Sequence, residues 1–353
     1  MGLDVKIKKT YKDFILDLDF KSEGERVGIL GASGCGKSLT LKCLAGIIKP
    51  DQGHITLNDR VLLDTNKKVN IKPQVREVGY LFQNYALFPN MTVAQNIAVG
   101  FKGSKEDKKR IIQDMVNSFR LDGLENHYPS QLSGGQQQRT ALARLLASKP
   151  QVILLDEPFS ALDTYLKEEL HIELNNILKS YRGEVILVTH SRDEVYKLCD
   201  KLIIMKDGKI LEYGPTKELF KSPKTLEGAK LTGCKNISSA RKVSTNKLIA
   251  LDWGINLTAK GPLPDEDFYI GIRAHDFKPF IKDSGDINKI PCKVNKIIQS
   301  LFEWSLLIET KECQSSDKFI WWKIGESHIS SQGLKEVPEY LTVDPEDIIV
   351  ITR

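Results

Sequence analysis

Short apolar runs separated by amphipathic stretches organise the chain up to about residue 235. RVGILG (26–31), QVILLDE (151–157), GEVILVTH (183–190) and DKLIIMKDGKI (200–210) are rich in Val, Ile and Leu. Their length and lack of alternation predict strands buried on both faces of an α/β sheet. Residues 37–48 continue the first run with helical spacing. Residues 105–125 and 136–149 also carry helical spacing with no strand between them, which predicts a helical subdomain over about 84–150. GPTKELFKSPKT (214–225) reads as a short helix closed by Pro223. Beyond about 235 the texture changes. LIALDWGINL, DFYIGIRAHDF, FEWSLLIET, KFIWWKI and DIIVIT are strand-like runs with turn residues between them, which predicts a small all-β domain over 236–353.

Bulk composition narrows the classes. The 353 residues are 41% hydrophobic and 27% charged, so a packed core is expected and wholesale disorder is not. The net charge of +5 is small for this length, and no basic block suggests nucleic-acid binding. No apolar run approaches the roughly 20 residues of a membrane-spanning helix, and MGLDVKIKK has no apolar signal region. The six cysteines (Cys35, Cys43, Cys199, Cys234, Cys292, Cys313) form no CxxC pair and no Cys/His cluster. Free thiols in a reducing compartment, hence a cytoplasmic location, are the simplest expectation.

The chemistry concentrates at strand ends. GASGCGKS (31–38) fits G-x-x-x-x-G-K-[ST] between a strand and a helix, where glycines let backbone N–H groups converge on phosphate oxygens. Gly31, Ala32, Ser33, Gly34, Cys35, Gly36, Lys37, Ser38 and Leu39 form the expected ATP-binding set. Lys37 is expected to reach the β- and γ-phosphates and Ser38 to hold Mg²⁺. VILLDE (152–157) places two carboxylates at the C-terminal end of a strand, the ligand-binding end of such sheets. Asp156 is expected to hold Mg²⁺ through water, and Glu157 to polarise the attacking water. His190 ends the run ILVTH; alone such a His is as a rule structural, but beside the loop and the DE pair its ring would face the γ-phosphate. Gln83 ends VGYLFQ and is placed to touch Mg²⁺ or the attacking water. Tyr11 is a candidate to stack on adenine, with Phe14 its rival. Cys35 lies near a helix N-terminus, which can lower a thiol pKa; ATP is expected to protect it from alkylation, with a small filler residue in the loop the alternative. Residues 132–136, LSGGQ, put a hydroxyl and two glycines at another helix start, a second anion cradle far from the first.

These pieces in this order resemble the nucleotide-binding subunit of ATP-binding-cassette (ABC) transporters. GASGCGKS, LFQ (81–83), LSGGQ, VILLDE, SALD (160–163) and VTH (188–190) carry the resemblance over about residues 1–235. It implies an α/β P-loop nucleotide-binding domain with a helical subdomain, followed by a small all-β, OB-like domain. It also implies an ATPase with Mg²⁺, working as a head-to-tail dimer. Ser133, Gly134, Gly135 and Gln136 of one copy would then face the ATP held by the other, with Asp163 in the loop between the two sites. The implied partners are a second copy of the chain, integral-membrane permease subunits and, indirectly, an extracytoplasmic solute-binding protein. No nucleic-acid partner is implied. The implied location is peripheral, on the cytoplasmic face of the cell membrane. RVLLDTNKKVNIKPQVREVGYLFQ, VTHSRDE, GCKNIS (233–238), LDWG (251–254) and IGIRAHDF (270–277) resemble molybdate or related oxyanion importers. Polyamine, iron and sugar importers are the alternative, and a non-transport ABC ATPase a more distant one. The C-terminal domain would bind oxyanion or serve as a dimer-stabilising, regulatory barrel.

Overall fold

The computed structural model describes residues 2–160, 164–280, 287–301, 303–310, 318–325, 329–330, 333–334 and 337–352. The chain divides into two compact units, Met1–Lys217 and Glu218–Arg353. The division falls before the expected residue 235 because Ala229 and Cys234 are buried with Ile349 and Ile351 of the C-terminal strand, inside the second unit.

The first unit is built on one eleven-stranded sheet. In chain order its elements are β1 (Leu3–Tyr11), β2 (Phe14–Ser22), β3 (Arg26–Gly31), α1 (Lys37–Ala45), β4 (Gln52–Leu57), β5 (Arg60–Asp64), β6 (Val69–Asn70), β7 (Val78–Leu81), α2 (Val93–Ala98), α3 (Lys105–Ser118), α4 (Gly134–Ala147), β8 (Val152–Asp156), α5 (Thr164–Ser180), β9 (Glu184–Val188), α6 (Arg192–Leu198), β10 (Lys201–Lys206) and β11 (Lys209–Pro215). The strand order is β6-β5-β4-β1-β2-β11-β10-β3-β9-β8-β7. From β10 to β7 every neighbour is parallel, and the strands β8 and β9 are buried at every position. The other side is mostly antiparallel, and there the burial alternates, as in β2. The run 200–210 is thus a hairpin turn from β10 into β11 rather than one strand, because Asp207 and Gly208 both have positive φ. Helices α2, α3 and α4 make up the helical insert, and α4 contacts both of the others.

One buried residue fixes α1 from its far end. Arg76 is fully buried. Its guanidinium donates to Cys43 O (3.1 Å), Leu44 O (2.8 Å), Ile71 O (2.8 Å) and Asn70 Oδ1 (2.9 Å). A cation on the last carbonyls of α1 satisfies orphan acceptors and complements the helix dipole. Gly46, in the left-handed region at φ 78°, ends the helix, and a Cβ there would sit 2.5 Å from Arg76 Nε.

The helix Thr216–Lys221 runs across the division in the sequence, the helix Leu226–Leu231 follows, and the rest of the second unit is all-β. Strands β12 (Asn236–Lys242), β13 (Lys247–Ala250), β14 (Ile255–Thr258) and β15 (Phe268–Ile272) form a five-stranded antiparallel sheet with the C-terminal strand Ile349–Ile351. Lys293–Gln299, Glu303–Glu309 and Ile320–Gly325 form a separate antiparallel sheet of three. Trp253, Trp322, Leu306, Ile308 and Ile320 belong to their common core. Among the described residues the strands pair as separate antiparallel sheets, as a small all-β domain requires. Cys35, Cys43, Cys199, Cys234 and Cys292 are free thiols, and Cys313 lies outside the described residues.

Candidate nucleotide site

Strand β3 ends at Gly31 and α1 starts at Lys37, so residues 31–38 form the expected strand-to-helix loop. Its glycines have different jobs. Gly34 has φ +81°, and a Cβ there would meet nothing within 4 Å. That position is open backbone, available to an approaching anion. Gly36 has φ +107°, and a Cβ there would lie 2.9 Å from Leu16 Cδ1, Met205 Cε and Phe14 Cζ. The core closes on that glycine. No side chain caps the start of α1, which leaves first-turn N–H groups for a ligand. Ala32 and Ser33 are exposed at the loop tip. Lys37 Nζ folds back over the loop and donates to Gly31 O (2.8 Å) and Ala32 O (3.0 Å). Leu39 packs its side chain against the core, so it has only its backbone to offer.

The carboxylates of β8 face this loop. Asp156 is 6% exposed. Its Oδ1 accepts from Ser38 Oγ at 2.8 Å, and its Oδ2 accepts from Tyr80 OH at 2.8 Å. Tyr80 lies on β7, adjacent to β8. Burial, and the bond to Asp156, push the Tyr80 hydroxyl well above its usual range, so it stays a donor. Glu157 follows in the left-handed region at φ 48°. Its N–H donates to Val188 O at 2.8 Å, which holds the strained turn. Such a conformation at a non-glycine costs on the order of 1–3 kcal/mol and collects at functional sites. Around Glu157 Oε2 stand Gln83 Nε2 at 3.5 Å and His190 Nδ1 at 3.6 Å. Gln83, Glu157 and His190 therefore converge from the C-terminal ends of three adjacent parallel strands, β7, β8 and β9.

The loop after Gln83 is tied to the helical insert. Tyr85 and Ala86 both have positive φ, 59° and 44°. Arg144 of α4 donates to their carbonyls at 2.8 Å and 2.7 Å. Asn96 of α2, fully buried, accepts from Phe88 N (2.9 Å) and donates to Met91 O (3.0 Å).

Other expected residues stand elsewhere. Tyr11 pairs with Phe14 across the β1–β2 hairpin and is 44% exposed, with Lys9 Nζ 5.6 Å from its ring centre. The aromatic brought against the phosphate loop, at Gly36, is Phe14. Ser133 caps α4: its Oγ accepts from Gln136 N (3.3 Å), and Gln136 Oε1 accepts from Ser133 N (2.9 Å). Gly134 is exposed, with nothing within 4 Å of a Cβ placed there, and Gly135 is buried. Among the described residues no hydrogen bond joins 133–136 to 31–38 of the same chain. Asp163 lies outside the described residues. Burial pushes the Cys35 thiol up, against the weaker pull of Lys37, which fits a small filler residue of the loop rather than a thiol activated by the helix N-terminus. Tyr80, Arg144 and Asn96 were not foreseen. A polar residue inside an otherwise apolar strand or helix face was the only signal they carried.

The oxygen donors present, Ser38 Oγ, Asp156 and the Gln83 amide, suit a hard divalent cation. Among the described residues no group of three or more His, Cys, Asp or Glu is arranged to cage a metal.

A family model described as "ABC transporter" matches residues 16–160. The chain is 39% identical over 269 residues to the spermidine/putrescine import ATP-binding protein PotA of Methylococcus capsulatus, covering 74% of this chain and 66% of that protein. It is 35% identical over 291 residues to PotA of Clostridium novyi, covering 80% and 82%. It is 42% identical over 221 residues to the Fe(3+) ions import ATP-binding protein FbpC of Haemophilus influenzae, covering 62% of each. The chain thus spans less than two thirds of the Methylococcus and Haemophilus proteins. The dimeric ATP-binding cassette MJ0796, solved in a post-hydrolysis state bound to ADP and Pi, aligns with TM-score 0.53 at 29% identity, covering 61% of this chain and 99% of that one.

Proposed function

Because the chain belongs to the ABC transporter family, we propose that it is the ATP-binding and ATP-hydrolysing subunit of a solute importer. The observation that carries this reading is the convergence of Gln83, Glu157 and His190 beside the Ser38–Asp156 bond. The loop N–H groups and Lys37 hold the phosphates, and Lys37 exchanges its bonds to Gly31 O and Ala32 O for phosphate oxygens. Ser38, Asp156 and Gln83 are the residues that would hold Mg²⁺, whose charge offsets that building on the phosphoryl oxygens. Glu157 accepts a hydrogen bond from the attacking water and draws its proton as the new O–P bond forms. The bond between the γ-phosphorus and the bridging oxygen breaks, and ADP leaves with that electron pair. Gln83 and His190 keep the Glu157 carboxylate and the water in line, which is the positional part of catalysis.

Two copies would complete the site. Ser133, Gly134, Gly135 and Gln136 start a helix whose exposed end offers donors to an anion, and Asp163 would lie between the two sites. The dimeric assembly of the aligned cassette supports this arrangement. ATP favours the closed dimer through contacts that the open one lacks. Among the described residues no helix is long and apolar enough to cross a membrane. The solute path would belong to permease subunits, with the chain attached at the cytoplasmic face and an extracytoplasmic binding protein delivering solute.

The solute reading shifts from the sequence-based one. The relatives compared above are named for spermidine/putrescine and Fe(3+) import. A polyamine importer is the reading they support best and an iron importer the second, and none of these named relatives is a molybdate importer. Vesicles holding the chain with its permease partners test this. ATP-driven uptake of labelled spermidine is expected, uptake of iron alone would favour the second reading, and no ATP-driven uptake of any solute would contradict the importer.

A further inference from the structure

We propose that Thr189 and Glu194 form a buried clamp that sets the direction of His190, with Lys167 of α5 as its anchor. The inference rests on the reading of His190 as part of the hydrolytic site. Thr189, Glu194 and Lys167 act as positioning residues; none touches Glu157 or the loop 31–38 through the bonds described.

His190 needs such a device. Its side chain is 65% exposed, and its polar contact among the described residues is Glu157 Oε2 at 3.6 Å. A ring with so little packing takes its direction from the backbone on either side. Both flanks are fixed by one hydroxyl. Thr189 Oγ1 donates to Glu194 Oε2 at 2.5 Å and accepts from Ser191 N at 3.0 Å. Ser191 Oγ in turn accepts from Glu194 N at 3.4 Å, capping α6. The residues before and after His190 are thus bound to one carboxylate or to its own backbone.

The carboxylate is deeply placed. Thr189 is 1% exposed and Glu194 2%. Burying a charge there is costly unless it is paired. Lys167 Nζ stands 2.6 Å from Glu194 Oε1. His171 Nε2 is 3.9 Å from the same oxygen and has no hydrogen-bond partner among the described residues. Burial lowers the His171 pKa, so the ring is neutral at pH 7 and Lys167 supplies the balancing charge. His171 also packs edge-on against Phe159, at 4.1 Å between ring centres, two positions after Glu157. Helix α5 therefore touches the turn that carries Glu157 and the carboxylate that steers His190. An apolar cluster would fill this space at less cost but would leave the strand end free to turn.

The test compares Thr189→Val, which keeps shape and removes the hydroxyl, with Thr189→Ser, which keeps the hydroxyl. Steady-state MgATP hydrolysis and the NMR signal of the His190 ring are measured on the full chain. Thr189→Val is expected to lower kcat about tenfold with KM changed less than about twofold, the scale found when a supporting partner of a site residue is removed. The His190 signal should move or broaden, and Thr189→Ser should restore both. Unchanged kcat and an unmoved signal would overturn the clamp, as would a loss that Ser does not rescue. Should Thr189→Val fail to fold, Lys167→Met at the half-exposed end carries the same comparison, with an unmoved His190 signal again overturning it. If the wild-type chain hydrolyses no ATP, the hydrolytic reading fails, while the His190 signal still decides for or against the clamp.

Discussion

Ser38 Oγ lies 2.8 Å from Asp156 Oδ1, a bond between the first turn of α1 and the end of β8 across 118 positions of chain. It joins the phosphate loop to the carboxylate strand. Asp156 has a second tether, the Tyr80 hydroxyl on its other oxygen. Removing that hydroxyl leaves the carboxylate held by Ser38 alone. Tyr80→Phe is expected to raise the Mg²⁺ concentration for half-maximal hydrolysis by about 10–100-fold. A magnesium titration of activity checks this; an unchanged midpoint would show that Ser38 alone orients Asp156.

The two loop glycines separate conformational strain from crowding. Gly34→Ala meets open space and bears only its positive φ, so it is expected to cost about 1–2 kcal/mol of stability. Gly36→Ala bears the same kind of strain and adds overlap with Leu16, Met205 and Phe14, a further 1–3 kcal/mol or so. Denaturant midpoints of the two variants should fall in that order. Equal midpoints would contradict the assignment of crowding to Gly36.

Much of this site was legible in the sequence because its residues sit at strand ends. Asp156, Glu157 and His190 each follow an apolar run too short to be a helix, Lys37 and Ser38 follow the glycine-rich loop after another, and parallel strands gather such ends at one edge. The supporting residues were not legible in the same way. Tyr80 looks like any aromatic in a strand, Arg76 like a surface charge before β7, and Glu194 like one more acid in SRDEVYK. Their roles depend on which strand or helix lies alongside, and spacing along one strand does not contain that. The raised Cys35 pKa was hidden for a related reason. The helix N-terminus that would lower its pKa is visible in the sequence, but the burial that outweighs it comes from Met205 and neighbouring core residues on other elements.

Acid stability has a local source at the start of β3. Burial alone would raise the Asp200 pKa, but bonds from the Arg26 guanidinium and backbone outweigh it and hold the carboxyl below the ordinary 3.8. A carboxyl lowered on folding adds stability that is present above its unfolded pKa and lost as pH falls through its folded one. Urea midpoints of the wild type should therefore drop below about pH 4. In Asp200→Asn that dependence should be shallower, with a lower midpoint at neutral pH. An identical slope in both chains would count against the pair.

The shared-site arrangement makes its own prediction. Ser133→Ala and Lys37→Ala chains should each hydrolyse ATP poorly alone. Mixed, they form a dimer with one doubly altered site and one intact site, so activity should partly recover. No recovery on mixing, with heterodimers present, would place both residues in one site of one chain.

The most direct test of the account is phosphate release from MgATP by the wild-type chain and by Glu157→Gln, with ATP binding followed in parallel. The account predicts steady turnover by the wild type, near-equal ATP affinity in both, and hydrolysis lowered by roughly 10²–10⁴-fold in Glu157→Gln, the range for loss of a positioned base. Turnover in Glu157→Gln at the wild-type rate would contradict it.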